Sequence, residues 1–237
     1  MFRLKNILTA GLTISVIFIL TSCEKEDPGP LQEVRKDYAI LDFDRLEMGS
    51  AFHIEVERGN EFSVKVKGDR RNVDDLDVYK SGSTLVIEFE DNANRHHDTF
   101  ISITMPSLKG VNFSGASISK IRGFESDEDL DFYLSGASIS QLDGDFRAMD
   151  LVVSGASSLV LFGSGDQIDA EISGASSFKA FDYPVREALI EISGASEGKV
   201  AVTDALTVTA GGASSVLYRG NPAVTTNVSG ASSVEKD

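Results

Sequence analysis

The chain has 237 residues, 41% of them hydrophobic, which is enough for one medium core or two small ones and excludes a wholly disordered polypeptide. It carries 37 acidic against 22 basic side chains, a net charge of −15, and so lacks the basic footprint that a nucleic-acid partner requires. A single cysteine excludes an intrachain disulfide and any cysteine-built zinc or iron–sulfur centre.

The first 22 residues differ in kind from the rest. Arg3 and Lys5 precede an apolar run from Ile7 to Leu20 that closes on Leu20-Thr21-Ser22-Cys23. A spanning helix needs about 20 apolar residues. A charged start, a shorter apolar stretch and small residues at its end predict instead a secretory signal over 1–22. Cys23, the only cysteine, stands at the cleavage position, and the pattern resembles the lipobox of bacterial lipoproteins, in which this cysteine is acylated. Several acyl chains, at about 0.8 kcal/mol per buried methylene, anchor a protein stably in a membrane. Loss of 1–22 removes Arg3 and Lys5 only, leaving 37 acidic and 20 basic groups and a charge of −17. Residues 23–37 read as an acidic tether, opening with Glu24-Lys25-Glu26-Asp27-Pro28-Gly29-Pro30 and lacking apolar periodicity. An acidic run directly after the cysteine is similar to the surface-export signal of Bacteroidetes lipoproteins, which implies the outer membrane and favours its cell-surface face over its periplasmic face.

Residues 38–110 are rich in strand-forming segments: 38–43, 51–57, 62–66, 84–89 and 100–105. Phe52, Ile54 and Val56 alternate with His53, Glu55 and Glu57, and turn signals fall at Arg58-Gly59-Asn60, Gly68-Asp69 and Ser81-Gly82-Ser83. No helix is predicted after residue 22.

From residue 111 onward one tetrapeptide recurs. Ser-Gly-Ala-Ser occupies 114–117, 135–138, 154–157, 173–176, 193–196 and 229–232, and Gly211-Gly212-Ala213-Ser214 is a seventh copy, giving steps of 21, 19, 19, 20, 18 and 18. Four and two residues before each central glycine stand apolar pairs such as Val111 and Phe113, Phe132 and Leu134, or Ile190 and Ile192, with a mostly polar residue between. That is the period of a strand with one buried face. A second apolar stretch follows each tetrad, such as Ile118 with Ile121 or Ile139 with Leu142. Each unit is then strand, tight corner, strand and return. The predicted fold is all-β, a right-handed parallel β-helix of about 18–21 residues per coil, with like positions stacked about 4.8 Å apart and the hand set by the crossover rule. One domain is expected over 38–237, irregular over 38–110 and regular over 111–237.

The tetrad has a reading that needs no chemistry. Gly115, Gly136, Gly155, Gly174, Gly194, Gly212 and Gly230 supply the backbone angles of a sharp corner. The alanine is expected to point into a crowded interior, and the serines to form hydroxyl ladders and bond the freed corner amides.

The irregular strand-rich opening, the Met105-Pro106-Ser107-Leu108 step and the repeated Ser-Gly-Ala-Ser units resemble the head GIN domain family of auto-transporter adhesins, over about 38–237. The resemblance implies a β-helical fold outside the cytoplasm. It supplies no catalytic residues.

Other motifs point to chemistry only weakly. Gly194-Ala195-Ser196-Glu197-Gly198 matches G-x-S-x-G, but its sibling tetrads lack the second glycine and no histidine lies beyond residue 97. His96 and His97 sit in a polar stretch, Asp91 to Asp98, without further ligands, and no metal site is assigned. The acidic turns Ser126-Asp127-Glu128-Asp129 and Asp143-Gly144-Asp145 lack EF-hand spacing, so whether calcium binds there stays open. No cofactor is expected. Polysaccharide lyases and hydrolases also use β-helices, but they need stacked carboxylates or a base where this chain repeats Ser, Gly and Ala. The reading is a lipid-anchored, non-catalytic envelope protein whose β-helix offers an adhesin-like surface to a protein or glycan partner; the competing reading is a carbohydrate-active enzyme, a polysaccharide lyase or hydrolase.

Overall fold

Alternation of apolar and polar residues carries most of the described residues into strands. The computed structural model describes residues 29–91 and 93–237. Signal segment 1–22 and Cys23 lie outside the described residues. In chain order the strands are β1 (Glu33–Tyr38), β2 (Arg45–Met48), β3 (Phe52–Arg58), β4 (Ser63–Asp69), β5 (Leu76–Ser81), β6 (Thr84–Phe89), β7 (Thr99–Met105), β8 (Gly110–Phe113) and β9 (Ile118–Ser126). They continue with β10 (Leu130–Leu134), β11 (Ile139–Val153), β12 (Ser158–Phe162), β13 (Gly165–Ile172), β14 (Ser177–Ile192), β15 (Glu197–Ala210), β16 (Ser215–Arg219), β17 (Ala223–Val228) and β18 (Ser233–Lys236). One five-residue helix, α1 (Arg70–Asp74), interrupts them, where no helix was expected. β1 also takes in residues 33–37 of the expected tether, and the compact unit begins at Leu31.

The strands stack as a parallel β-solenoid. Column A, leading into the corner, runs β6–β2–β8–β10–β11–β13–β14–β15–β17, and column B, leaving it, runs β7–β3–β9–β11–β12–β14–β15–β16–β18. In both columns the coil of β2 and β3 lies between the coil of β6 and β7 and the coil of β8 and β9, so stacking order departs from chain order at the N-terminal end. Three antiparallel strands close that end: β4 on β7, β1 on β4, and β5 on β6.

Register puts like residues on top of one another in the core. Leu85, Leu46, Val111, Phe132, Leu151, Ala170, Ile190 and Val208 form one buried file along column A. Full burial of each large side chain in such a file stabilises the fold by roughly 1.5–3 kcal/mol. Between β13 and the preceding coil, Tyr183 is buried, with its hydroxyl 3.1 Å from the Phe146 amide and 3.3 Å from its carbonyl. Burial pushes its pKa up to about 12.

The direction of the tetrads differs in part from the sequence expectation. Ala116, Ala137, Ala156, Ala175, Ala195, Ala213 and Ala231 are exposed, whereas the serine after each is buried from Ser117 through Ser214. The corner resets the strand phase, which also turns Ile118 and Ile139 outward, 42% and 52% exposed, while Ile121 and Leu142 are buried. The inward serines satisfy one another: Ser117 and Ser138 hydroxyls lie 3.1 Å apart, and Ser138 Oγ donates to the Ser135 carbonyl at 2.9 Å. Ser214 repeats this with Ser232 at 3.2 Å and with the Gly211 carbonyl at 2.9 Å.

Candidate functional site

The corner ladder is the structural feature from which the site grows. Each tetrad alanine donates its N–H to the glycine carbonyl one coil back, at 2.7 to 2.8 Å from Ala137 to Ala231. Gly115, Gly136, Gly155, Gly174, Gly194, Gly212 and Gly230 have φ of 77°, 78°, 78°, 81°, 77°, 77° and 71°. At Gly155 two constraints coincide: φ lies in the left-handed region, and a β-carbon would strike the carbonyl oxygen of Gly136.

The ladder has an eighth rung with a different sequence. Ala116 N–H donates to the Ser50 carbonyl at 3.2 Å, and Ser114 N–H to the Met48 carbonyl at 3.0 Å, so Gly49-Ser50-Ala51 is the corner of the coil formed by β2 and β3. Ser50 occupies the glycine position at φ 65° and carries the strain of that conformation. The next coil outward abandons the tight corner: residues 90–98 connect β6 to β7 where other coils use three or four residues.

This longer connection borders a cavity of about 530 Å³. Its floor is the Ser50 corner with Glu47, Asn112 and Ser114, and its wall is Glu88, Asp91, Arg95, His96, His97 and Asp98. Arg95 is fixed from several sides: its guanidinium lies 3.9 Å from the centre of the Phe89 ring, pairs with Asp75 and donates to the Asp91 carbonyl at 2.8 Å. Asn72, from α1, donates to the His97 carbonyl at 2.8 Å and lies 3.3 Å from the Thr99 hydroxyl. His53 Nε2 stands 3.7 Å from the Asp98 carboxylate and its ring 4.9 Å from that of Phe100. Arg95 Nε and His97 Nε2 have no hydrogen-bond partner among the described residues, although both are shielded from water. The cavity therefore presents carboxylates, imidazole and guanidinium groups suited to a polar ligand.

α1 is held to this end by Asp69, its N-cap. The buried Asp69 carboxylate accepts from the Gln32 amide at 2.9 Å, the Arg71 amide at 3.0 Å and Arg71 Nε at 2.7 Å. The hydrogen bonds from Arg71 outweigh desolvation and hold the Asp69 carboxyl well below the usual carboxylate range.

The two outer faces differ in charge. Column A stacks Asp131, Asp150 and Asp169 in register, and beside them Glu171 and Glu191. Burial, then the neighbouring Asp169 and Asp131, raise the Asp150 pKa. Column B is mixed, with Lys120, Lys179 and Lys199 beside Glu55, Glu197 and Glu235, and it exposes Ile118, Ile139 and Phe100, while column A exposes Tyr133 and Leu189.

The remaining sequence candidates fall elsewhere. Ser196, inside the G-x-S-x-G match, is buried in the serine ladder, 3.3 Å from the Ser176 amide, and a strand follows it rather than a helix. Asp129 pairs with Arg147 at 2.7 Å, and Asp145 accepts from the Ser164 amide and hydroxyl at 2.7 and 2.9 Å. Among the described residues no three His, Cys, Asp or Glu are placed to hold one metal ion.

A family description, "Putative auto-transporter adhesin, head GIN domain", matches residues 42–222. The chain belongs to the head GIN domain family. Solved structures share its fold. A "putative adhesin" from Bacteroides fragilis NCTC 9343 is 16% identical with a TM-score of 0.78, over 87% of this chain and 97% of that one. A "putative adhesin" from Parabacteroides distasonis ATCC 8503 is 18% identical, TM-score 0.69, over 88% and 98%. A "putative lipid binding protein" from the same organism is 17% identical, TM-score 0.68, over 86% and 96%. No curated protein matches the chain. The match at 42–222 places β2 to β16 in the head GIN domain, including the Ser50 corner and the 90–98 connection.

Proposed function

We propose that this head GIN domain is a non-catalytic, adhesin-like binding surface of a cell-envelope lipoprotein anchored through Cys23. The carrying observation is a stack hydrogen-bonded through its corners whose column B presents exposed Ile118, Ile139 and Phe100 among Lys120, Lys179 and Lys199 and the carboxylates Glu55 and Glu197, while column A carries the acidic file. A flat face of this kind, with apolar anchors and a charged rim, suits a protein or glycan partner. Family membership and neighbours named as adhesins support the same reading. The apolar segment before Cys23 supports outer-membrane anchoring, and the acidic run after it supports display on the cell surface.

A glycan array and a reducing-sugar release assay on residues 24–237 test this together. Retention of a glycan or protein without turnover is expected, and weakening of that retention by Ile139→Glu would locate it on column B. Release of sugar from any polysaccharide would replace this reading with the carbohydrate-active enzyme. Metabolic labelling with palmitate should mark the wild type and not Cys23→Ala; an unlabelled wild type would refute the anchor.

A further inference from the structure

The corner ladder has a direction. The first and third residues of each tetrad from Ser114 onward donate their N–H groups to the corner one coil nearer the N-terminal end, as Ser135 does to the Phe113 carbonyl and Ala137 to the Gly115 carbonyl. Side chains at the glycine position would point the same way. A β-carbon on Gly115 would meet the carbonyl oxygen of Ser50 at 2.7 Å, and one on Gly136 would strike the carbonyl of Gly115.

At the Ser50 corner both features lose their partner. The coil before it in the stack, β6 and β7, has residues 90–98 in place of a tight corner. Ala51 holds the rung position from which Ala116 and every later tetrad alanine donates to a backbone carbonyl, and among the described residues its N–H has no such acceptor. Ser50 holds the glycine position at φ 65°, so by the geometry of Gly115 its β-carbon and hydroxyl project past the corner into the cavity of about 530 Å³, which both Ser50 and Ala51 line. Glycine occupies the same place without strain in seven copies. A serine held there against its backbone preference points to a use for the hydroxyl.

The rest of the lining narrows the ligand. Glu88 and Asp98 are already engaged, by the Tyr79 hydroxyl at 3.0 Å and by His53 Nε2 at 3.7 Å. The carboxylates of Glu47 and Asp91 hold no ion pair or hydrogen bond among the described residues, and Asn112 stands in register with Glu47. A carboxylate only accepts, so a ligand set against these two must bring O–H or N–H donors. Four carboxylates against the one guanidinium of Arg95 repel an acidic ligand. The Ala51 N–H calls for the acceptor that its counterparts take in every later rung, an amide carbonyl at 2.7 to 3.2 Å. A neutral molecule that joins several hydroxyl donors to one amide carbonyl is an acetamido sugar, and the cavity lies within the range of small-ligand sites, about 300–1,000 Å³.

We propose that the cavity behind the Ser50 corner binds a neutral acetamido sugar, its amide carbonyl accepting from the Ala51 N–H and its hydroxyls bonding to Ser50 Oγ, Glu47, Asp91 and Asn112. The site is separate from Ile139 on column B and stands whether or not that face is adhesive.

Saturation-transfer NMR on residues 24–237, which include the whole compact unit from Leu31, tests this with N-acetylglucosamine and N-acetylgalactosamine as probes. Transfer is expected to the acetyl methyl of at least one, and none to glucose, glucosamine or glucuronic acid at the same concentration. Ser50→Gly should weaken binding of that sugar about tenfold, the effect of one lost hydrogen bond, without lowering the melting temperature, so that lost binding is not lost folding. Glu47→Ala should weaken it at least as much, and Ile139→Glu should leave it unchanged. Glucose or glucosamine binding as tightly as the acetamido sugar would overturn the role of the Ala51 amide. A sugar displaced by Ile139→Glu and indifferent to Ser50→Gly would overturn the cavity while leaving the column B reading in place. Capture of a peptide alone, or no transfer to either probe at tens of millimolar, would overturn the site.

Discussion

Residues 111–237 and residues 31–110 build the same two columns by different means. The regular part repeats one corner, with glycine at positive φ, an exposed alanine whose amide joins the ladder, and a buried serine that bonds its neighbours above and below. The N-terminal part contains one corner with serine in the glycine position, one connection of nine residues, and three antiparallel strands that end the column. Repetition suits propagation, since each coil offers the next an identical edge. The N-terminal end is made of something the next coil cannot copy, and that is where the cavity and the polar loop are found.

Mutations can break or sharpen this contrast. The largest effect belongs to Gly155→Ala in the middle of the regular ladder, where left-handed φ and the collision with Gly136 combine; a loss of about 3 kcal/mol or more is expected in urea unfolding. At the capped end, Asp69→Ala leaves the Gln32 amide unpaired and α1 uncapped, at a cost of about 3 kcal/mol. Because the folded Asp69 pKa is depressed, its stabilisation is fully present above the ordinary carboxylate range and is lost as pH falls through that range and below; the wild-type minus Asp69→Ala difference should shrink in acid. Ser50→Gly inverts the sign of the first substitution: relief of a non-glycine left-handed residue should raise stability by about 0.5 kcal/mol, net of the extra chain entropy. Ala156→Leu should be smallest, within about 0.5 kcal/mol, because that side chain faces water.

The regular columns were legible because seven copies report the same alternation, each confirming the others' phase. The alanine direction was misread for a physical reason: the left-handed glycine breaks the period of two, so inward positions before the corner, such as Val111 and Phe113, do not extrapolate to those after it, where Ser117, Ser119 and Ile121 point inward. The Ser50 corner was hidden because its only glycine, Gly49, is one place early. Placement of the β2–β3 coil between two later coils could not be read at all, since it depends on pairing between residues far apart in the chain. The cavity was half visible for the same reason. His96 and His97 stand out in any polar loop, but Glu47, Asn112 and Ser114 join them only through that non-sequential stacking. α1 went unrecognised because five residues are too few to show helical periodicity, and its existence rests on the Asp69 cap and on packing of Val73.

The most direct test follows the alanine amides through native-state hydrogen exchange. Their side chains are exposed and their residues lie in corners, so a collection of separate surface turns would release them within seconds to minutes. A continuous ladder from Ser50 to Gly212 instead ties Ala137, Ala156, Ala175 and Ala195 to global unfolding, and their exchange should be as slow as that of Phe132 and Ile190 in the buried strands. Fast exchange at those four alanines beside slow exchange in the strands would contradict the stacked corner as the element that holds the solenoid together.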